Sequence, residues 1–435
     1  MEIKEKITAQ LPEYRERVRK LVKENGDVKV GDVSIAQVYG GARGVRMLVT
    51  DISYVDPDVG IRLRGYTIPE VLEALPKQAG HEVPLVGGLY YLLVVGEMPT
   101  LEQALEVENE WKARSAIPGY VLDILKAMPA NAHPMNLFAS AILALKNDSL
   151  FNRAYHKGMS KLDYWEPMLE DSLNLTARLP VIAATIYRMK YKGGEIIPPD
   201  PDLDFGGNFA HMLGVTGSEY ADLMRLYMVL HSDHESGNVS AHTTHLVGSS
   251  LSDIYSATSA GMNGLAGPLH GLANQLNLKW LLGVYEQFGG VPTKEQLRQY
   301  AWDTLNQGRV IPGYGHAVLR IADPRFTAQY NFGKKCLPDD EIFQIAEMVY
   351  EVVPQVLKEQ GKAKNPAPNV DAISGTLQYH YGVREFEFYT VLFGVSRALG
   401  VSANAIWARA LGQPIERPKS LTTAMLEEIV AESKM

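Results

Sequence analysis

Cysteine is almost missing from this chain: Cys336 is the only one in 435 residues. An intrachain disulfide and a cysteine-based zinc ribbon are thereby excluded, and a reducing compartment is the expected setting. Long basic tracts are missing too, and the formal net charge is −8. Nucleic acid and anionic membrane surfaces are poor partners for such a chain, so neither is expected. No apolar run reads as the roughly 20 residues a membrane-spanning helix needs. The opening Met1-Glu2-Ile3-Lys4-Glu5-Lys6 lacks the apolar core of a secretory signal and carries too many acids for a mitochondrial transit peptide. The expectation is a protein that stays where it is made or has had a targeting segment removed. Internal repeats and low-complexity segments are also missing.

What is there is a large core. The chain is 46% hydrophobic and 21% charged, as in ordinary globular proteins. Its length fits two or three average domains, or one large domain with a smaller companion. A charged amphipathic helix is expected over 3–25, stopped by Asn25-Gly26. Short strands at 28–30, 33–35, 47–52 and 61–63 make a minor N-terminal β ribbon. Beyond Pro69 the apolar spacing is helical: 85–96, 101–115, 120–128, 135–145, 165–190, 218–231, 239–248, 253–265, 272–288, 293–305, 341–359, 373–381 and 386–411. The three-proline stretch 198–204 reads as a loop. The fold class is therefore mostly α.

Several polar residues stand out against this pattern. Leu265-Ala266-Gly267-Pro268-Leu269-His270-Gly271 puts a histidine between a Gly-Pro break and a helical pattern. Pro268 suits the first turn of a helix, where a missing N–H is harmless. His270 would then feel that helix's positive N-terminus, which disfavours imidazolium. A neutral histidine there can donate a hydrogen bond to a carbonyl or enolate; packing or capping is the plainer use. Four histidines cluster at 231, 234, 242 and 245. The Tyr220, Leu223, Tyr227, Leu230, His234 spacing places His234 on an inward helix face. The two H-x-x-H pairs lack the i,i+4 spacing of zinc helices, so a polar pocket with Ser232, Asp233, Ser240 and Thr243 is expected rather than a metal site.

Gly313-Tyr314-Gly315-His316 has no phosphate-loop spacing. It is either backbone brought close to a ligand or a tight turn with an incidental histidine. Asp371 precedes a helix and reads as an N-cap carboxylate of lowered pKa, which also suits an ionised base. Arg320 and Arg325 follow His316 closely. Arg397 interrupts an apolar helix and must find a carboxylate, a phosphate or an interface. Arg417, in Glu416-Arg417-Pro418-Lys419, reads as a solvated surface residue by default.

Taken together, these segments resemble the citrate synthases of the type found in mitochondria. The resemblance runs from Tyr39-Gly40-Gly41 to Glu416-Arg417-Pro418-Lys419-Ser420. It is most specific at His231-Ser232-Asp233-His234-Glu235, Asn238-Val239-Ser240-Ala241-His242-Thr243, Gly267-Pro268-Leu269-His270-Gly271, Pro312-Gly313-Tyr314-Gly315-His316-Ala317 and Pro368-Asn369-Val370-Asp371. It implies condensation of acetyl-CoA with oxaloacetate and hydrolysis of the thioester, with no metal or bound cofactor. The implied roles are Asp371 as general base, His270 as enol stabiliser and His316 as acid. Arg325, Arg397 and His234 would hold oxaloacetate, with Arg417 reaching in from the second subunit of a homodimer. Arg43, Lys161, Val310, Gly313, Tyr314, Arg320, Lys364 and Asn369 would hold CoA. The implied fold is a small helical domain, 270–378, closing over a large one made of 1–269 plus 379–435. The implied compartment is the mitochondrial matrix, or the cytoplasm for a bacterial chain.

Three positions depart from the family pattern. Lys161 stands where an arginine is usual, keeping the charge without the fork geometry. Ala367 replaces an expected tryptophan and Ile373 an expected histidine, both beside Asp371 and expected to shape the acyl-CoA entrance. The nearest rival activity is therefore 2-methylcitrate synthesis from propionyl-CoA. A helical binding protein without turnover and a metal-dependent hydrolase are the other readings.

Overall fold

The computed structural model describes residues 1–316 and 318–434; Ala317 of the 312–317 stretch lies outside them. Among the described residues the chain is built from α-helices and one small sheet. The first helix, Glu2–Asn25, matches its amphipathic pattern and ends at Gly26. Further on, Ser218–His231, Val239–Ser249 and Ile254–Leu265 fall within a residue of expectation. Their starts are marked by side-chain caps where the sequence offers one: Asn238 accepts from the N–H of Ala241, and Asp253 from that of Ser256.

The β ribbon is smaller and differently placed. Strands Ser53–Asp56, Gly60–Leu63 and Tyr66–Thr67 form one antiparallel sheet, with Tyr54 opposite Arg62 and Leu63 opposite Tyr66. Of the four expected strands only 61–63 is one. Residues 28–30 and 47–52 are irregular, and Ile35 opens a short helix, Ile35–Tyr39, behind a Ser34 capping box. Short apolar runs carry too little periodicity to separate an exposed segment from a strand. Helices Leu150–His156, Phe205–Leu213, Pro324–Cys336 and Thr423–Glu432 are additional to the sequence pattern.

Helix Tyr389–Ala410 is the axis of the core. It packs against Trp165–Tyr191, Val86–Val95, Ser218–His231 and Ile254–Leu265. Contrary to the sequence reading, the helical run Phe386–Ala410 that contains it is long and apolar enough to cross a membrane, with a mean hydropathy of 1.3. Its surroundings decide otherwise, because 89% of that apolar window is buried inside the protein. Gly400 lets another segment approach this axis closely. A Cβ there would sit 2.5 Å from both the Asp233 side chain and the Ser232 carbonyl, and the Gly400 N–H donates to that carbonyl at 3.1 Å. The 232–238 loop, which carries His234, is thereby held against the core. A second group of helices packs among itself: Ala273–Phe288 and Lys294–Asn306 lie on Glu341–Gln360, and Ser374–His380 closes against the first.

Candidate active site

Four loops, the first turn of helix Pro324–Cys336 and the middle of the axial helix supply the site. His270 lies in the 266–271 turn, ahead of helix Ala273–Phe288, so Pro268 does not open that helix and His270 is not in its first turn. The positive helix terminus it meets belongs to another helix. Its Nε2 accepts the backbone N–H of Ser240, at the start of Val239–Ser249, at 3.2 Å, and lies 2.9 Å from Ser240 Oγ. An amide N–H can only donate, so the proton of neutral His270 is on Nδ1. Burial, followed by the charge of Arg397, lowers its pKa to about 4. The expected neutral state thus holds for a different reason.

His316 is fixed through its other nitrogen. Its Nδ1 accepts from the backbone N–H groups of Val318 and Leu319, at 3.0 and 2.9 Å. Neutral His316 therefore carries its proton on Nε2. Burial and Arg325 push its pKa down. Helix Ser218–His231 stops before His234, which sits in the following loop with its ring 5.9 Å from that of His316. The histidine on the inward helix face is His231, wholly buried and stacked on Tyr227 at 4.0 Å. Burial, Arg325 and Arg397 hold His234 well below its ordinary pKa.

Asp371 is not an N-cap. Asn369 caps the short 3₁₀ turn Val370–Ala372 by accepting the Asp371 N–H at 3.0 Å, which leaves the Asp371 carboxylate free of that duty. Its pKa is raised to about 6, not lowered: burial outweighs the nearby charges of Arg325 and Arg397, and Asp323 adds to the rise. The turn is tied to the His316 loop. Asn369 N–H donates to Gly313 O at 2.9 Å, Asn369 Nδ2 to Gly315 O at 3.1 Å, and Gly315 N–H to Ala367 O at 3.1 Å. Gly313 has φ +81, and a Cβ on it would lie 2.7 Å from Ala372 Cα, so this close approach needs glycine. Tyr314 bridges to Pro368. Of the two altered residues beside Asp371, Ile373 is wholly buried in the core, and Ala367 stays on the loop.

Two arginines face this group. Arg325 opens helix Pro324–Cys336, and Asp323 caps that helix while holding the guanidinium: Nε to Oδ1 at 3.0 Å and Nη2 to Oδ2 at 2.6 Å. Burial opposes ionisation of Asp323, but the charge and hydrogen bonds of Arg325 overcome it and keep the carboxyl below its ordinary value. Arg397, 2% exposed, donates Nε to His231 O at 3.2 Å and Nη1 to Asn238 Oδ1 at 3.1 Å, with its guanidinium 4.9 Å above the Phe393 ring. No ion pair neutralises it among the described residues. Burial lowers its pKa to about 10. Sequence reasoning missed Asp323, Asn238 and Phe393 as the residues that orient these arginines. The Asp323-Pro324-Arg325 run carried a usable signal, since Asp before Pro is a helix-start pattern.

His234, His316 and Asp371 thus lie within electrostatic reach of Arg325, and His234, His270 and Asp371 within reach of Arg397. Val310, 77% exposed, and exposed Lys364 lie on the two laced loops, together with Arg320, whose Nη1 donates to the Val318 and Leu319 carbonyls. Arg43, Lys161 and Arg417 are exposed, and no hydrogen bond joins them to this group among the described residues. No group of three His, Cys, Asp or Glu side chains able to hold a metal ion occurs among the described residues.

Relatives about half identical to this chain match it over nearly its whole length. The family described as "Citrate synthase, C-terminal domain" matches residues 41–419. This chain belongs to the citrate synthase family. It is 52% identical, over 98% of its length and 92% of the relative's, to the "Probable citrate synthase, mitochondrial" of Glossina morsitans morsitans. "Citrate synthase 4, mitochondrial" of Arabidopsis thaliana is 51% identical over 98% of this chain and 90% of its own. The crystal structure of citrate synthase from Pyrobaculum aerophilum superposes with a TM-score of 0.78 at 26% identity, covering 91% of this chain and 95% of that one. The chain is accordingly an enzyme, a citrate synthase of the acyltransferase class.

Proposed function

We propose that Asp371 removes a methyl proton from acetyl-CoA while His270 donates Nδ1–H to the thioester oxygen, and that His316 donates Nε2–H to the ketone of oxaloacetate as carbon attacks. Hydrolysis of the resulting citryl thioester releases citrate and CoA. One observation carries this reading: two neutral imidazoles, each locked in the donor tautomer by backbone N–H groups, share arginines with a carboxylate whose pKa is about 6, His270 through Arg397 and His316 through Arg325. A base of that strength takes a proton better than an ordinary aspartate, and neutral donors stabilise developing oxyanions without protonating them prematurely. Arg325 and Arg397 supply two cationic clamps for a dicarboxylate, with His234 beside them. Nothing in this scheme requires a metal or cofactor.

The reading extends to CoA and to the assembly. Val310, Gly313, Tyr314, Arg320, Lys364 and Asn369 on the laced loops would hold the nucleotide. Arg43 and Lys161 would add charges for CoA, and Arg417 would serve the second subunit's site in a homodimer. Lys161 lies against the segment that carries Arg417, its Cε 3.4 Å from where a Gly412 Cβ would sit, and the helix before Arg43 is bonded to Thr423 through Tyr39. The 266–271 turn joins the core helices to the second helical group, which supports a hinged division into 270–378 and the remainder, 1–269 with 379–435. Closure there would exclude water from the enolate. The relatives' names support the mitochondrial matrix as the compartment.

Two measurements test the scheme. In a CoA-release assay with oxaloacetate, kcat/KM for acetyl-CoA is expected to exceed that for propionyl-CoA by about tenfold or more, as one methylene in a fitted pocket is worth. A propionyl preference would establish 2-methylcitrate synthesis instead. The pH profile of kcat/KM should fall with unit slope as pH drops through about 6, because Asp371 must be ionised. His270, neutral above about 4, should add no second step in that range. An acid limb below pH 5 would remove Asp371 as the base.

A further inference from the structure

Helix Tyr389–Ala410 is followed by a turn at Leu411-Gly412 and then by Gln413-Pro414-Ile415-Glu416-Arg417-Pro418, a segment with no helix or strand of its own. Among the described residues, Glu416 is the one position from 414 to 421 that makes hydrogen bonds. Its backbone N–H donates to Ser249 Oγ at 3.0 Å, and its Oε1 accepts from His242 Nε2 at 2.7 Å. The second carboxylate oxygen is buried without a hydrogen bond, with His245 Nε2 at 3.9 Å. His242, His245 and Ser249 all belong to helix Val239–Ser249. The first turn of that same helix supplies Ser240 to His270.

We propose that Glu416 and His242 form a tether that positions Arg417 for the oxaloacetate carboxylate, making both positioning residues of the reaction rather than catalytic ones. The inference rests on the reading that Arg417 serves the partner's site. An arginine on an unanchored extended segment must lose both side-chain and backbone freedom when it binds a carboxylate. Pinning the adjacent residue at two points, one backbone and one side chain, removes most of that cost beforehand. Pro418 stiffens the other side of Arg417 by fixing its own φ and restricting the residue before it. The tether also explains the histidine cluster that the catalytic group leaves over: His231 packs, His234 lies in the pocket, and His242 with His245 receives Glu416. One helix thereby fixes both its own chain's His270 and the segment offered to the partner.

Steady-state kinetics on the intact protein test this with Arg417→Ala, Glu416→Ala, His242→Ala, Glu416→Gln and the double variant Glu416→Ala/Arg417→Ala. Glu416→Ala and His242→Ala should each raise the oxaloacetate KM about tenfold, the cost of a hydrogen bond to a charged group, with kcat and the acetyl-CoA KM within about threefold. Glu416→Gln keeps an acceptor for His242 without the charge and should fall between wild type and Glu416→Ala. In the Arg417→Ala background, removing Glu416 should cost nothing more, because the tether acts only through Arg417. If Arg417→Ala raises the KM but the tether variants do not, the tether is refuted and the Arg417 reading stands. If Arg417→Ala leaves the KM unchanged, that reading fails and the tether with it. Additive losses in the double variant would show a general structural role and overturn the proposal. Should Glu416→Ala not fold, His242→Ala and its double with Arg417→Ala decide the same points.

Discussion

Asp371→Asn is expected to abolish turnover while making the folded chain more stable at neutral pH. The first half follows from chemistry: an amide of the same shape cannot accept the methyl proton, and losing a positioned general base costs about 10²–10⁴-fold in rate. Exchange of the acetyl methyl protons with solvent deuterium should vanish along with CoA release. The second half follows from linkage. The folded pKa, about 6, lies above the ordinary value of 3.8, so the folded state binds this proton more tightly than the unfolded one. The group's contribution is therefore full below the unfolded value and is lost as pH rises through about 6. At pH 7–8 the charged carboxylate opposes folding by up to about 3 kcal/mol, since a tenfold difference in proton affinity is worth about 1.4 kcal/mol. Asparagine removes that charge, and the Asn369 cap does not depend on it. Urea melts at pH 8 should favour the variant clearly, and melts at pH 4 much less. Near-normal turnover would eliminate Asp371 as the base, and no gain at pH 8 would show that its environment in solution does not resist ionisation.

Arg397→Met is expected to separate binding from folding in the opposite way. Truncating one member of a buried charge pair costs about 2–5 kcal/mol of affinity, so the oxaloacetate KM should rise by about a hundredfold or more. Stability should change little, within about 1 kcal/mol, since a buried cation without a counter-charge gives little to the unliganded fold. Of the two acceptors it leaves, Asn238 Oδ1 still accepts from Ser240 Oγ and the Ala241 N–H, at 3.0 and 3.1 Å, and the His231 carbonyl loses one side-chain donor. Methionine also keeps an apolar contact for Phe393. Oxaloacetate should raise the melting temperature of the wild type and leave that of the variant unmoved. A variant that unfolds several kcal/mol earlier, yet still saturates normally, would assign Arg397 to the core instead of the ligand.

Much of this protein is legible along the chain. Helical periodicity is a local property, and helices such as Ser218–His231 and Val239–Ser249 carry their own apolar faces and end signals, so their boundaries follow from residue order. Pro324–Cys336 escaped because its polar surface hides the apolar stripe, and the ribbon strands moved because short runs do not encode their partners. The resemblance supplied the roles of Asp371, His270 and His316, which no single stretch does.

What sequence alone determined is the inventory: a helical chain, a family, and the side chains that can act as base, donor and clamp. What only the tertiary structure decided is their state. His270 is neutral because it is buried beside Arg397, and a different helix, Val239–Ser249, aims its Ser240 N–H at Nε2. Asp371 has a raised pKa where a cap would have lowered it, because Asn369 takes the capping role and burial then dominates. Protonation depends on which dipoles and charges lie within a few ångströms in space, and neighbours in space are what residue order leaves open.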